Sequence, residues 1–313
     1  MKIIFFGTPE FAGKVLEFLL SHKIEIVAVV SKPDKPQGRS KIPVPTPVKI
    51  MAEKYSIPCF QPEKISDSDF IEVSQNLRPD LFVVVAYGEI IKQHILDLPK
   101  FGCINLHASL LPKYRGAAPI QHAVIDGEKE TGVSIIRLIK KMDAGDILAE
   151  GKVPIGPEET YGDIAEKLCN IGSDLLLQVI GQIAEGTATG YSQNEENVTF
   201  AHKIELEDCE IDWTLPASKI HDLIRGVNPE PGAWSYMEIN GQKKRMKIFR
   251  TRISSETLPV GKPGIDSSKD FFIGCGEGSL QIIELQPEGK KRMSGKDFLR
   301  GLSEETFRTF KLL

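Results

Sequence analysis

Short apolar runs that recur between helix-like stretches constrain the first part of this chain more than any other feature. KIIFF (2–6), IEIVAVVS (24–31), DLFVVVAY (80–87) and CINLHA (103–108) are rich in β-branched residues. Between them, FAGKVLEFLLS (11–21) has helical spacing at Phe11, Val15, Phe18 and Leu19, and further helix-like stretches lie near 46–55 and 65–77. Continuous apolar strands separated by helices predict a parallel sheet covered on both faces. TGVSIIRLI (131–139) is predicted as a longer strand, and 159–186 as a long helix.

From residue 187 the texture changes. TATGYSQNEENVT is polar and turn-rich, as a linker would be. After one helical stretch, PASKIHDLIRGV (216–227), come the short runs AWSYMEI, RMKIFRTRI, DFFIGC and SLQIIELQ. Turn residues separate them, and Asn240-Gly241 is a hairpin signal. That pattern predicts a small OB-like β-barrel. A length of 313 residues is long for one domain. The expected fold is therefore α/β: a Rossmann-like parallel-sheet domain over 1–189, a linker over 190–206, and an OB-like domain over 207–313.

Composition removes several classes. No apolar run reaches membrane-spanning length. The opening MKIIFFGTPEF has no small-residue cleavage site, so it reads as a first strand and not as a signal peptide. Five scattered cysteines, odd in number and never at metal-ligand spacing, favour reduced thiols in a cytoplasmic protein. The net charge of −4 gives no global electrostatic case for nucleic acid but leaves a local one open.

GTPEFAGK (7–14) sits where a phosphate loop would sit. It misses the Walker spacing, has Val15 where a hydroxyl residue belongs, and lacks the glycines of a dinucleotide fingerprint. A tight strand-to-helix turn with Pro9 near the first turn is the better reading. NLHASLLPKYRGAAP (105–119) is more informative. Asn105 and His107 are two apart on a strand, so they share a face, about 6–7 Å apart. They fall at the strand's carboxyl end, where α/β sheets place ligands. An amide and an imidazole there can both donate to an oxyanion, or they can be satisfied core polars. KKMDAGDI (140–147) offers Asp143 and Asp146, either to hold an imidazole charged and take a proton through water, or simply to cap a turn. A metal site built from His107, His122 and these aspartates has no recognisable ligand spacing. No G-x-S-x-G elbow exists for a serine hydrolase.

With DAGDI downstream, NLHASLLPKYRGAAP resembles the signature of the 10-formyltetrahydrofolate-dependent formyltransferases. GTPEFA, KPDKPQGR (32–39) and AHKIELEDCEIDW (201–213) resemble the branch that formylates methionine carried on initiator tRNA, and the resemblance spans nearly the whole chain. It implies a catalytic trio of Asn105, His107 and Asp143. Asn105 and His107, the latter as imidazolium, would stabilise the tetrahedral oxyanion, and Asp143 would relay a proton from the amine to the departing folate nitrogen. Ser109, Leu110, Leu111 and Pro112 would form part of the folate pocket, joined by the backbone of 84–90. The implied co-substrate is 10-formyltetrahydrofolate, with no metal. The implied partner is methionyl initiator tRNA, met by a monomer whose residues 1–189 are catalytic and whose residues 207–313 bind the tRNA. One departure is Glu230 in NPEPGAW, where the family is expected to carry an aromatic.

Two basic stretches fit such a partner. Residues 31–49 hold Lys32, Lys35, Arg39, Lys41 and Lys49 against one acid, and five prolines predict a long, irregular, exposed loop. The resemblance implies that Arg39 senses the weak first base pair of the initiator, with Lys41 beside it. Residues 207–313 are balanced at 17 Lys/Arg against 16 Asp/Glu, but KKRMKIFRTR (243–252) holds six cations and no anion, giving Lys243, Lys244 and Arg245 as tRNA contacts. Either stretch is otherwise a solvated surface. Two other readings stay open on sequence: the same chemistry on an amino sugar nucleotide or a glycinamide nucleotide, and a non-catalytic RNA-binding module.

Overall fold

The computed structural model describes residues 1–313 except 37–40, 67 and 240, and the side chains of 68, 69 and 308. Among the described residues the chain separates into two compact units. The first comprises Met1–Pro119, Glu130–Val153 and Ala165–His202; the second comprises Ile120–Lys129, Pro154–Ile164 and Lys203–Leu313.

The first unit is built on a seven-stranded sheet. Its spatial order is Ile147–Pro154, Glu130–Arg137, Cys103–His107, Leu81–Val85, Ile3–Gly7, Ile26–Val30, Cys59–Phe60. The last five of these run parallel to one another. Ile3–Gly7, Leu81–Val85 and Cys103–His107 are buried at every position, which is why they read as unbroken apolar runs. The helix Pro47–Lys54 starts where Thr46 Oγ1 accepts from the Lys49 N–H, with Pro47 in its first turn.

The sheet is mixed where the sequence suggested parallel strands throughout. Glu130–Arg137 pairs antiparallel with Cys103–His107, His107 opposite Ser134 and Ile104 opposite Arg137. Residues 138–146 therefore leave from the amino end of the Cys103–His107 strand and must fold back to reach His107.

The expected irregularity of 31–49 is also corrected. Lys35–Pro36 pairs antiparallel with Pro43–Val44 as a small ribbon. Pro36 faces Pro43, and a two-stranded ribbon tolerates this because every strand in it is an edge. Its base is tied down: Ser31 and Thr46 hydroxyls are 2.7 Å apart, Lys49 pairs with Asp34 at 2.6 Å, and Gln61 donates to Asp34 at 2.6 Å.

The second unit is an antiparallel sheet ordered Pro263–Ile265, Phe271–Gly274, Ser279–Pro287, Gln242–Ser254, Ala233–Ile239, Lys311–Leu312. Gly261 brings its ends together, donating to Gly274 O at 3.0 Å and accepting from Leu312 N at 2.9 Å. The sheet thereby curls into a nearly closed barrel. Only glycine fits at 261, because its φ is +70° and a Cβ would lie 2.4 Å from Leu312 O. The barrel is filled by Trp213, Ile220, Met246, Ile248, Phe271, Leu280 and their neighbours.

Candidate active site

The strand Cys103–His107 carries two buried polar side chains among apolar neighbours, Asn105 at 8% and His107 at 5% exposure. Their environments differ. His107 Nε2 lies 2.9 Å from the Tyr114 carbonyl, so this nitrogen carries a hydrogen and donates. His107 Nδ1 faces Asp143 Oδ2 at 3.7 Å. That distance is too long for a hydrogen bond, so the Nδ1 edge of the ring is open to a third atom. The Asn105 amide has no hydrogen-bond partner among the described residues, the state of a donor waiting for one. The amide atoms are not among the fully buried unsatisfied groups, so they keep contact with solvent at the strand end and are open to a ligand.

Asp143 is set by its backbone. Its φ is +49°, in the left-handed region that aspartate tolerates better than most residues. Its Oδ2 accepts the Gly116 N–H at 2.9 Å. Gly116 has φ +125° and approaches Ala201 so closely that a Cβ would sit 2.5 Å from Ala201 O. Asp146, the other sequence candidate, is exposed and accepts from Ser192 Oγ at 3.0 Å. The Tyr114 carbonyl and the Gly116 N–H are the site members that side-chain reasoning missed. Only the irregular YRG run hinted at them.

The loop after the strand is pinned from beneath. Ser134 Oγ accepts from Leu111 N at 3.1 Å and donates to Ser109 O at 2.8 Å, and Ser109 Oγ donates to Lys113 O at 2.6 Å. Leu111 is buried against Ile136 and Ile147, whereas Leu110 and Pro112 are half-buried. Of the four expected pocket residues, two thus face protein and two keep surface to offer. The neighbouring strand ends level with this one, Val85 beside Leu106, and continues through Ala86 at φ +47° and Gly88 at φ +87°. The turn at GTPEFAGK is a packing feature: a Cβ on Gly7 would lie 2.7 Å from Ala12 Cβ and 3.0 Å from Val85 O. Among the described residues no group of three or more His, Cys, Asp or Glu is placed to hold a metal ion.

The basic residues divide. Arg39 lies outside the described residues, and Lys41 is exposed. Lys32 and Lys49, counted with them in the sequence, are already paired with Glu89 and Asp34, both at 2.6 Å. On the Gln242–Ser254 strand, Lys243 stacks 4.0 Å over the Tyr236 ring and Arg245 3.8 Å over Trp234. Lys244 alternates to the other side, opposite Met237, and is exposed. Arg245→Ala is therefore expected to lower stability by about 0.5–2 kcal/mol, the worth of a cation–π contact. Lys244→Glu should leave the thermal midpoint unchanged. Thermal unfolding of the two variants side by side checks the division. Glu230, the departure noted in the sequence, is exposed in a turn and so replaces no core side chain.

An uncommitted amide beside an imidazole and a fixed carboxylate, at the carboxyl edge of a Rossmann-like sheet, is an arrangement that can donate to a polarised carbonyl oxygen and accept a proton. The chain belongs to the formyl transferase family. The formyl transferase model matches residues 1–180, and the model of the formyl transferase C-terminal domain matches 203–303. Over 307 residues the chain is 57% identical to the methionyl-tRNA formyltransferase of Protochlamydia amoebophila, covering 97% of this chain and 96% of that one. Its identity to the methionyl-tRNA formyltransferase of Staphylococcus epidermidis is 43%, covering 97% of each. Among solved structures it superposes with WlaRD, a sugar 3N-formyl transferase, at TM-score 0.67 and 21% identity over 93% of this chain and 99% of that one. With the methionyl-tRNA formyltransferase from Clostridium thermocellum the TM-score is 0.55 at 17% identity, over 83% and 96%. The structural likenesses establish the fold alone.

Proposed function

We propose that this protein transfers the formyl group of 10-formyltetrahydrofolate to the α-amine of methionyl initiator tRNA, as a monomer in the cytoplasm. The observation that carries the reading is the Asn105–His107–Asp143 constellation, set in a chain whose relatives at 42–57% identity over nearly full length are methionyl-tRNA formyltransferases. No described helix is long and apolar enough to cross a membrane, and all five cysteines are free, which suits a reducing compartment.

The residues present suit the folate. Asn105 offers an uncommitted amide at the strand end, and Leu110 and Pro112 offer partly exposed apolar surface for a flat ring. Bound there, the folate supplies an activated formyl carbon and a nitrogen that departs. Asn105 and the Nδ1–H of His107 donate to the formyl oxygen as negative charge develops on it. The Tyr114 carbonyl holds the Nε2–H, which fixes the ring and keeps its Nδ1 edge toward the chemistry. Asp143, its carboxylate steadied by the Gly116 N–H, relays the proton of the incoming amine through a water to the departing folate nitrogen. Lys243, Lys244 and Arg245 engage the tRNA backbone, and Arg39 with Lys41 engages the acceptor end.

A sugar amine as acceptor is the competing reading, since WlaRD acts on one. Incubation with 10-formyltetrahydrofolate and either charged initiator tRNA or a dTDP-amino sugar, followed by mass analysis, separates the two. Formyl on the sugar and none on the methionine would overturn the proposal. For the acceptor end, a guanidinium can fork across phosphate and base edge where lysine offers a point charge. Arg39→Lys is accordingly expected to lose most activity on initiator tRNA, and Lys41→Ala little. Equal losses, read as kcat/KM, would reduce the ribbon to an electrostatic contact.

A further inference from the structure

Residues 191–199, polar and turn-rich in sequence, are hydrogen-bonded to the catalytic loops. Arg115 lies at the centre, its side chain 1% exposed. Its Nε and Nη2 donate to Gln193 Oε1 at 3.1 and 2.7 Å, and Nη2 donates to Glu195 Oε1 at 2.9 Å. Lys141 Nζ reaches the other Glu195 oxygen at 2.5 Å. The hydrogen bond from Arg115, then that from Lys141, holds the Glu195 carboxyl down to about 2, so Glu195 stays an anion throughout the neutral range. An arginine can only donate, which turns the Gln193 oxygen toward it and the amide NH₂ away. That NH₂ donates to two carbonyls of the aspartate loop, Asp143 O at 2.7 Å and Gly145 O at 2.8 Å.

Asp143 is thus gripped at both ends by consecutive residues. Gly116 N–H holds its carboxylate, and Arg115, through Gln193, holds its main chain. The left-handed backbone at 143 costs free energy and persists only where its surroundings fix it. The buried guanidinium in turn needs partners of fixed geometry.

We propose that Gln193, clamped by Arg115, is a positioning residue for Asp143: it fixes the main chain at 143 and 145 so that the carboxylate faces His107 Nδ1. This rests on the reading of Asp143 as the group that takes the amine's proton.

Gln193→Glu tests it, because it keeps the size and the acceptor for Arg115 but removes both donors to the loop. We expect kcat to fall about 10- to 10²-fold, as for a catalytic group displaced by about 1 Å. KM for tRNA and folate should stay unchanged, and the thermal midpoint should fall modestly, because the new carboxylate oxygen faces the Asp143 and Gly145 carbonyls. Gln193→Ala, which also frees Arg115, should show the same split between kcat and KM. In an Asp143→Asn background Gln193→Glu should cost nothing further in single-turnover rate, since the group it positions is gone. A folded Gln193→Glu enzyme with unchanged kcat would overturn the proposal. So would a loss that multiplies in full with that of Asp143→Asn, or one that falls on KM with kcat unchanged. Full turnover in Asp143→Asn alone would overturn the reading of the trio first, and this proposal with it.

Discussion

Replacing Asp143 by asparagine is expected to lower the single-turnover rate of formyl transfer by about 10²–10⁴-fold, the range for loss of a positioned acid–base group. The variant is a clean one. Asparagine is isosteric, its carbonyl can still accept the Gly116 N–H at 2.9 Å, and the glutamine contact falls on the main chain at 143. Folate affinity and thermal midpoint should stay near those of the parent. His107→Ala should cost about 10²–10³-fold through loss of a donor to the developing oxyanion. It also removes the hydrogen bond to the Tyr114 carbonyl, which adds about 0.5–1.5 kcal/mol of destabilisation. The two variants together therefore distinguish lost chemistry from lost structure. Near-parental turnover in either one, with the protein folded, rules out the trio.

Much of the fold was legible because burial on both faces leaves an unmistakable trace. Ile3–Gly7, Leu81–Val85 and Cys103–His107 are all-buried strands and all-apolar runs except for Asn105 and His107. Those two residues stood out for the same reason. What escaped notice was short, or half-exposed at an edge. Ile147–Pro154 lies at the end of the sheet with mixed burial, so its pattern has neither period. Gly295–Arg300 and Glu304–Thr309 are six residues each, too short for periodicity, although Ser294 and Ser303 cap them through the N–H groups of Asp297 and Thr306. Residue type and spacing left Asp143 and Asp146 equal, and the family resemblance alone singled out Asp143; in the structure Asp143 differs by its left-handed backbone and by the Gly116 N–H, 27 positions away. Gln193 was further out of reach, 50 positions from the carbonyl it holds. Charge counting overstated the stretch 31–49 because a sequence does not say which lysines, here Lys32 and Lys49, already have carboxylates of their own.

Gly145→Ala is expected to damage stability and turnover together, and it separates two meanings of glycine in this chain. A Cβ at 145 would lie 1.8 Å from Arg137 O and 2.9 Å from Arg137 C. Both are main-chain atoms, and Arg137 N is itself bonded to Asp146 O at 3.0 Å, so neither side can yield without moving the loop. Overpacking of this kind costs about 1–3 kcal/mol. The displaced loop carries Asp143 two residues away, and a shift of about 1 Å at a catalytic group costs on the order of 10²-fold in rate. Gly181, inside the helix Tyr161–Glu185, provides the comparison because a Cβ there meets nothing within 4 Å. Gly181→Ala should stabilise by about 0.5–1 kcal/mol through helix propensity and leave turnover alone. Chemical denaturation and single-turnover rates on both variants read the contrast. If Gly145→Ala kept the parental rate, the tight approach to Arg137 would be a packing detail, and Asp143 would not depend on the loop's exact path for its place beside His107.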